Sequence, residues 1–308
     1  MKVYLNETIH PKAVELLQSQ VEIVNSFDEI EELDGILSRG TAVTAEMMNR
    51  AVKLKVIGKH GVGVNKIDLD AARAHGIRVV NTPLANRTSV AELVVGLVLN
   101  CARKIPNSIA AIQNNQVKRI ADPSYVGLEL SGRTFGVIGM GNIAQSTANI
   151  FRSGFGMKTI GFDPFVSAEE SQKRGFQKFD SLEEMLENSD VVSIHVQLNE
   201  GTKNMIGAEQ FKHFKRTGIL INTSRGGIVD ENALLDALKT KQLYAAACDT
   251  FVKEPPNAEN SELFLLSNFL GTPHIGACTE ESMYRVGMTV VEEILRVLHG
   301  EEPRYAVV

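Results

Sequence analysis

The chain has 308 residues, of which 44% are hydrophobic and 22% charged, and its formal net charge is −5. That length allows two domains with separate cores, and the acidic balance provides no basic surface for nucleic acid or for an anionic membrane. The longest apolar stretch, residues 90–99, is too short to span a bilayer. We therefore expect a globular protein without nucleic-acid or membrane partners.

The three cysteines, Cys101, Cys248 and Cys278, are odd in number and fit no C-x-x-C spacing. They are typical of reduced thiols and indicate neither a disulfide framework nor a metal site. The N-terminal sequence turns polar within a few residues, which is not the pattern of a signal peptide. We therefore predict a cytoplasmic protein that binds no metal.

Short apolar runs alternate with helical patterns through the first part of the chain. The runs predict strands at residues 2–5, 21–24, 36–37, 56–57 and 79–80. A helix is predicted at residues 11–18, and Thr44 is the predicted cap of another. This alternation predicts parallel sheet units. The loop at residues 58–63, G-K-H-G-V-G, follows a strand and could hold an anion on its N–H groups or be a plain turn.

Ser89 and Glu92 have the spacing of a capping box. They predict the start of a long apolar helix at residues 90–102, and a second amphipathic stretch continues to Gln116. We expect this helical segment to cross between two domains.

A dinucleotide-binding fingerprint organises the middle of the chain. Residues 134–138 form an apolar run, G-M-G-N-I-A follows at 139–144, and a second apolar run ends on Asp163. This is the pattern of a strand, a tight turn and a helix with an acidic residue about 20 positions on. Gly139 would make the turn, and Gly141 would let the backbone approach a pyrophosphate. Asp163 would bind a ribose and repel a 2′-phosphate, which predicts NAD rather than NADP as the cofactor.

The same alternation continues towards the C-terminus. Strands are predicted at residues 191–196, 218–222, 244–248 and 269–271, and helices at 181–187, 211–214, 231–238 and 280–298. In an open parallel sheet, ligands bind at the carboxyl ends of the strands. One functional rim is therefore predicted from the polar residues that follow these strands: His195, Thr223, Ser224, Arg225, Asp249 and His274.

Three of the polar residues suit catalysis. Arg225 lies in S-R-G-G, where a guanidinium can bind a carboxylate bidentately, although a surface salt bridge is the alternative. Glu254 and His274 both lie in proline-containing turns, and a Glu–His pair would fix the imidazole tautomer for general acid–base catalysis. That pairing is a conjecture at this point. We expect His195 to be packed, and His60 is a candidate to line the glycine-rich loop.

Five motifs carry a resemblance to a known family. In chain order they are G-M-G-N-I-A, F-G-M-K-T-I-G-F-D-P, I-N-T-S-R-G-G-I-V-D-E-N-A-L, C-D-T-F-V-K-E-P and T-P-H-I-G-A-C-T. With this set the chain resembles the D-2-hydroxyacid dehydrogenase family over essentially its whole length. Within the family it is most similar to the D-3-phosphoglycerate dehydrogenases of serine biosynthesis. The resemblance implies an NAD-dependent hydride transfer at C2 of a 2-hydroxy acid.

The resemblance also implies roles for individual positions. The implied catalytic residues are Arg225, Glu254 and His274. The implied cofactor contacts are Gly139, Gly141, Asn142, Ile143, Asp163, Val196, Thr223, Ser224, Asp249 and Ala277. The implied substrate-binding residues are Arg39, Lys59, Gly61, Val62, Gly63 and Asn86.

The architecture that the resemblance implies is α/β, with two Rossmann-like, doubly wound parallel-sheet domains and an active-site cleft between them. A flavodoxin-like substrate domain would comprise residues 1–97 and 282–308, and an NAD-binding Rossmann domain residues 98–281. Homodimers through the NAD-binding domains are usual in the family. Because the chain ends at Val308, the C-terminal regulatory domain of long phosphoglycerate dehydrogenases is not expected.

Two departures from the family pattern leave the substrate open. Asn65-Lys66 stands where Asp-Asn is common, and Gln197 replaces a common proline. A hydroxypyruvate or glyoxylate reductase, or another D-2-hydroxyacid dehydrogenase, is the alternative. Formate dehydrogenases resemble this fold but pair the catalytic His with Gln, so Glu254 argues against them. A non-enzymatic alternative is an NAD-sensing protein similar to the corepressors on the same fold, and turnover would distinguish it.

Overall fold

Two units make up the chain, and a computed structural model describes residues 1–120 and 122–308 of it. The first unit comprises Met1–Ser89 and Ala277–Val308, and the second comprises Val90–Gly276. The predicted domain boundaries, after residues 97 and 281, lie a few residues further along the chain. Each unit contains its own parallel sheet, so the predicted α/β class with two parallel-sheet domains is confirmed.

The sheet of the first unit has five parallel strands. They are β1 (Lys2–Tyr4), β2 (Glu22–Val24), β3 (Gly35–Ser38), β4 (Val56–Lys59) and β5 (Arg78–Val80), in the order β2-β1-β3-β4-β5. This is the flavodoxin-like order of doubly wound sheets. Three helices connect these strands along the chain: α1 (Pro11–Gln18), α2 (Ala45–Arg50) and α3 (Leu69–Ala74).

The C-terminal part of the chain completes the first unit. The last helix, α11 (Glu280–Leu298), buries Val290 and Ile294 in one core with Val56. A Cβ at Gly58 would overlap the Ile294 side chain, so glycine lets this helix approach β4 closely. Beyond the helix, Ala306 forms an antiparallel bridge to β5.

The second unit contains seven parallel strands. They are β6 (Thr134–Ile138), β7 (Lys158–Phe162), β8 (Gln177–Phe179), β9 (Val191–Ile194), β10 (Ile219–Asn222), β11 (Ala245–Cys248) and β12 (Phe269–Gly271). Their order is β12-β11-β10-β9-β6-β7-β8, so the chain changes direction across the sheet between β6 and β9. Doubly wound sheets bind their ligands at such a switch point.

Helices surround this second sheet on both faces. They are α4 (Arg87–Arg103), which begins three residues before the unit boundary, α5 (Ile105–Gln113), α6 (Asn142–Phe155), α7 (Ala168–Lys173), α8 (Leu182–Asn188), α9 (Ala208–Phe211) and α10 (Glu231–Lys239). All four residues of β10 are buried, and its adjacent residues Leu220 and Ile221 pack into two different cores, one on each face of the sheet. Burial on both faces explains why the strands are continuous apolar runs and do not alternate with polar residues.

Some local predictions were wrong. Helix α4 begins at Arg87, so Ser89 is not its cap; the Ser89 hydroxyl instead makes a 2.9 Å hydrogen bond with that of Thr279. The helix predicted at residues 211–214 lies at Ala208–Phe211, and the strand predicted to reach residue 196 ends at Ile194. The short elements α3, α7 and β8 were missed because their sequences contain no long apolar pattern.

Among the described residues, no helix combines the length and the apolarity needed to cross a membrane. Within the same ranges, no three His, Cys, Asp or Glu residues are grouped so that they could hold a metal ion.

Candidate active site

The glycine-rich turn lies at the switch point of the second sheet. Gly139 has φ +87°, and a Cβ there would lie 2.7 Å from Val196 Cγ1 and 2.8 Å from the His195 carbonyl oxygen. Glycine is therefore required both for the turn and for the approach of the segment after β9. A Cβ at Gly141, in contrast, would meet no described protein atom within 4 Å. The second glycine thus faces open space, as a backbone that receives a pyrophosphate would need.

The N-terminus of α6 continues this cradle. Asn142 is exposed, Ile143 is partly exposed and Ala144 is buried, so the helix turns its third residue into the core and its first towards solvent. Helix α6 begins at Asn142 directly after the two glycines, and helix N-termini carry N–H groups and a positive dipole that favour phosphate. Ala144 fills the packing position that the fingerprint reserves for a small residue.

Asp163 follows β7 and is bonded to the glycine-rich turn. Its Oδ2 accepts the N–H of Met140 at 3.0 Å, and its Oδ1 accepts the N–H of Phe165 at 3.0 Å. The carboxylate is therefore oriented by the backbone on both sides. Ionised carboxylates have about four acceptor positions, so capacity for ribose hydroxyls remains.

Buried polar atoms gather at the ends of the adjacent strands. Thr223 Oγ1, His195 Nε2 and Thr250 Oγ1 have no hydrogen-bond partner among the described residues. His195 is partly exposed as a residue, but its Nε2 is buried, and burial lowers the pKa of the imidazole to about 3. Buried polar atoms usually have partners, and leaving one without a partner costs free energy. The open cradle at Gly141 and these atoms fit a bound polar dinucleotide.

The loop after β10 is held in a fixed shape that presents Arg225. The Asn222 side chain donates to the Arg225 carbonyl at 2.9 Å and accepts the Ser224 N–H at 3.1 Å. The Ser224 hydroxyl donates to the Ile194 carbonyl at 2.9 Å, which joins the loop to β9. A Cβ at Gly226 would overlap the backbone of Phe251, so the S-R-G-G sequence is needed for this close approach.

Arg225 carries a partly buried guanidinium. Its Nη1 donates to the Ser224 carbonyl at 2.6 Å. Burial lowers the pKa of Arg225, and the Glu254 carboxylate opposes that shift. An arginine remains charged even so. The positive group therefore lies within electrostatic reach of the Glu254 carboxylate.

The conjectured Glu254–His274 pair is present. His274 Nδ1 lies 3.2 Å from both Glu254 Oε1 and Oε2, and Glu254 Oε1 also accepts the N–H of Phe251 at 3.3 Å. His274 has φ +57°, an uncommon value for a residue with a side chain. The two side chains are 49% and 40% exposed, so substrate could reach them.

Asp249 fixes the turn that carries His274. This carboxylate is 1% exposed, and its Oδ1 accepts the Thr272 hydroxyl at 2.6 Å and the Ile275 N–H at 2.8 Å. Its Oδ2 accepts the Gly276 N–H at 2.8 Å. Asp249 therefore bonds a side chain that precedes the histidine and two backbone N–H groups that follow it. Its predicted cofactor contact stays a prediction, as does that of Ala277, which belongs to the first unit.

The predicted substrate residues lie in the first unit. Arg39 follows β3, and its Nη1 donates to the Thr8 carbonyl at 2.9 Å. Lys59, at the end of β4, donates from Nζ to the Arg39 carbonyl. Two cationic side chains are thus brought together at neighbouring strand ends, as Arg39 and Lys59 would need to be to bind an anion.

The glycine-rich loop at residues 61–63 follows Lys59. The Asn81 side chain donates to the Val62 carbonyl at 2.9 Å, and the Thr82 N–H donates to the Gly61 carbonyl at 3.1 Å. Gly61 has φ +125° and Gly63 is buried. Asn86 is buried, and its Oδ1 has no partner among the described residues.

Two residues that orient this machinery were missed from the sequence. Asn222 shapes the Arg225 loop, and Glu7 bonds the backbone of the Arg39 turn, with Oε2 2.6 Å from the Arg39 nitrogen. Glu7 comes shortly after β1, at the carboxyl end of the strand. The signal for Glu7 in the sequence is its place two residues after the predicted strand 2–5, close to a strand end like Arg225 and His274.

A family model identifies the region that contains this geometry. Residues 95–276 match the model described as D-isomer specific 2-hydroxyacid dehydrogenase, NAD binding domain. The chain belongs to the D-isomer specific 2-hydroxyacid dehydrogenase family. Its second unit, with Gly139, Asp163 and the Glu254–His274 pair, is therefore built around the family's NAD-binding domain.

Individual proteins similar to the chain have different names within this family. The D-3-phosphoglycerate dehydrogenase of Methanocaldococcus jannaschii is 39% identical over 310 residues, which cover 98% of this chain and 58% of that protein. The chain thus spans little more than half of that relative. The hydroxypyruvate reductase of Thermotoga maritima is 37% identical over 308 residues, covering 96% of this chain and 98% of that protein. A D-lactate dehydrogenase structure with NAD⁺ from Lactobacillus jensenii is 25% identical, with a TM-score of 0.81 and complete coverage of both chains.

Proposed function

We propose that the protein is an NAD-dependent D-2-hydroxyacid dehydrogenase, which interconverts a 2-hydroxy acid and the corresponding 2-oxo acid. The observation that carries the proposal is the 3.2 Å contact of His274 Nδ1 with the Glu254 carboxylate, with Arg225 in electrostatic reach. An acid–base residue, its charge partner and a carboxylate-binding group are the parts that this reaction needs.

The hydrogen bond determines how His274 acts. Nδ1 faces a carboxylate and so carries a proton, which leaves Nε2 as the proton acceptor. In the oxidation direction Nε2 takes the proton of the substrate hydroxyl, and Glu254 stabilises the imidazolium that forms. Arg225 binds the substrate carboxylate and orients C2. A nicotinamide bound at the cradle would accept the hydride that leaves C2 in this direction. In the reduction direction the same Nε2 returns its proton to the carbonyl oxygen.

The substrate that we propose first is 3-phosphoglycerate, with phosphohydroxypyruvate as its oxidised form. Arg225 would be occupied by the carboxylate, so Arg39 and Lys59 of the first unit could receive the phosphate. If the rest of the substrate were uncharged, these two cations would lose hydration without gaining an anionic partner from the substrate. The Methanocaldococcus relative supports this choice, whereas the Thermotoga relative, which the chain spans almost completely, favours hydroxypyruvate.

A substrate panel tests the proposal. Phosphohydroxypyruvate, hydroxypyruvate, glyoxylate and pyruvate are each reduced with NADH, and the loss of nicotinamide absorbance gives kcat/KM. Arg39→Ala and Lys59→Ala are measured beside the wild type. We expect the phosphorylated acid to be preferred and both substitutions to weaken it selectively. A preference for hydroxypyruvate would reject 3-phosphoglycerate as the substrate but retain the proposed dehydrogenase activity. No turnover with any of the acids would reject both proposals.

We also propose a homodimer that forms through the second unit. Helix α5 exposes Ile105, Ile109 and Ile112 by 39%, 50% and 67%, and their spacing puts them on one side of the helix. An apolar stripe of this kind suggests an interface. Light scattering should give twice the chain mass, and Ile109→Glu should give the mass of one chain. A cytoplasmic location is the accompanying proposal, which the thiol state of the three cysteines supports.

A further inference from the structure

The turn that carries Arg39 encloses a carboxylate of the same chain. Glu7 Oε2 accepts the backbone N–H of Arg39 at 2.6 Å and that of Thr41 at 3.3 Å, while Oε1 accepts the N–H of Gly40 at 2.5 Å. Three successive N–H groups thus converge on one side chain, in the manner of a backbone anion site. Burial works to raise the pKa of Glu7, but these donors outweigh it and hold the pKa below its ordinary value. Glu7 is therefore ionised at neutral pH.

The opposite side of the same turn is bonded by cations. Lys59 Nζ donates to the Arg39 carbonyl, and Lys66 Nζ donates to the Gly40 carbonyl at 3.0 Å. The Arg39 guanidinium donates to the carbonyl of Thr8, the residue that follows Glu7. These contacts orient the three cationic side chains relative to the turn. The turn is thus clamped by an anion on its N–H side and by ammonium groups on its carbonyl side.

We infer that Glu7 is a positioning residue for substrate, which fixes the backbone of the Arg39 turn so that Arg39 and Lys59 present their charges in one arrangement. The inference rests on the proposed function, because it assumes that Arg39 binds the substrate anion. Glu7 itself would not touch the substrate, since its two oxygens are directed at the turn. Its loss should therefore weaken binding of the 2-oxo acid and leave proton transfer at His274 unchanged.

The test separates positioning from general stability. Glu7→Gln keeps the side-chain size but replaces an acceptor with an amide NH₂ that faces backbone donors. We expect KM for the best 2-oxo acid to rise about tenfold, while kcat and the NADH dissociation constant stay within twofold. Glu7→Asp keeps the charge, so its KM should lie between that of the wild type and that of Glu7→Gln. The control is Glu15→Gln, which removes an exposed carboxylate of α1 and should change nothing.

A substitution in the turn itself should disturb the same contact between Glu7 and the backbone of the turn. A Cβ at Gly40 would lie 3.0 Å from Glu7 Oε1, so Gly40→Ala should displace the carboxylate and raise KM in the same way. Because Glu7 acts through Arg39 and Lys59, Glu7→Gln should have no further effect on KM in a background that carries both Arg39→Ala and Lys59→Ala. A lower melting temperature with unchanged KM, or a KM effect that persists without both Arg39 and Lys59, would overturn the inference alone. A wild-type enzyme that turns over no 2-oxo acid would remove the proposed function and the inference together.

Discussion

Two histidines, one in each unit, show how their surroundings determine what an imidazole can do. His274 lies 3.2 Å from both oxygens of a carboxylate and is half exposed. His60 is buried, its Nε2 has no partner in residues 1–120 and 122–308, and its neighbours Arg39 and Lys59 are cations. Burial first, and then the Arg39 charge, lower the pKa of His60 to about 4. An anionic partner thus suits a histidine to proton transfer, whereas burial beside cations keeps it neutral.

The largest effect is expected from removing the imidazole that has the carboxylate partner. His274→Ala should lower kcat by about 10³-fold or more, which is about 4 kcal/mol in the activation barrier, because the proton acceptor is lost. NADH binding, measured by fluorescence titration, should stay within about threefold, since the imidazole acts on substrate.

A matched control exists in the same unit. His213 Nδ1 lies 2.7 Å from Glu187 Oε1, so this exposed pair repeats the chemistry of Glu254 and His274 outside the predicted rim. His213→Ala should leave kcat unchanged. If His274→Ala retained near-normal turnover, or if His213→Ala lost it, the acid–base assignment would be wrong.

Substitutions of the two fingerprint glycines are expected to have different effects, one on protein stability and the other on NADH affinity. Gly139→Ala combines φ +87° with contacts to Val196 and the His195 carbonyl, so it should lower the free energy of unfolding by about 2–4 kcal/mol. Gly141→Ala has an ordinary φ of −73° and open space, so folding should be unaffected. NADH affinity should nevertheless fall about tenfold or more, because the methyl occupies the proposed pyrophosphate position.

Urea unfolding and NADH titration of both variants check this expectation. Equal effects of the two substitutions on stability, or full NADH affinity of Gly141→Ala, would show that the open space beside Gly141 is not a cofactor cradle.

The main strands, their parallel class and the polar residues at the strand ends were predictable from sequence because these features depend on local patterns. Apolar runs identified β6, β9 and β10, and the strand-end rule identified Arg225 and His274. Short elements such as β8 could not be found, since a three-residue edge strand with the sequence Q-K-F has no distinguishing period. The hydrogen-bond partners of polar side chains could not be predicted either, because they can be distant in sequence. Ser89 and Thr279, which share a hydrogen bond, are 190 positions apart.

The burial of His60 should appear in the pH dependence of stability. Its pKa is about 4 when folded and 6.5 as the ordinary value, so between these pH values the unfolded chain binds more protons. The stability contribution is complete above pH 6.5, is lost as pH falls towards 4, and amounts to about 3 kcal/mol at most. His60→Gln should flatten the fall in unfolding free energy over that range, measured by urea titration.

His195 provides the comparison from the second unit. Burial lowers the pKa of His195 to about 3, so His195→Gln should flatten the same curve over a window that extends about one unit lower. A variant whose stability falls as steeply as that of the wild type between pH 6.5 and 4 would show that the substituted histidine does not remain neutral in the folded protein.

The smallest expected effect concerns cofactor choice at Asp163. Asp163→Asn keeps an acceptor for the Met140 N–H but removes the charge that would repel a 2′-phosphate. The ratio of kcat/KM for NADH to that for NADPH should fall about 10- to 100-fold, which corresponds to about 1.4–2.8 kcal/mol. Asp180→Asn removes one exposed carboxylate near the end of β8 and should leave the ratio unchanged, which controls for net charge. A wild-type enzyme that uses NADPH as well as NADH, or an unchanged ratio in Asp163→Asn, would mean that the Asp163 carboxylate serves to hold the glycine-rich turn and not to select the cofactor.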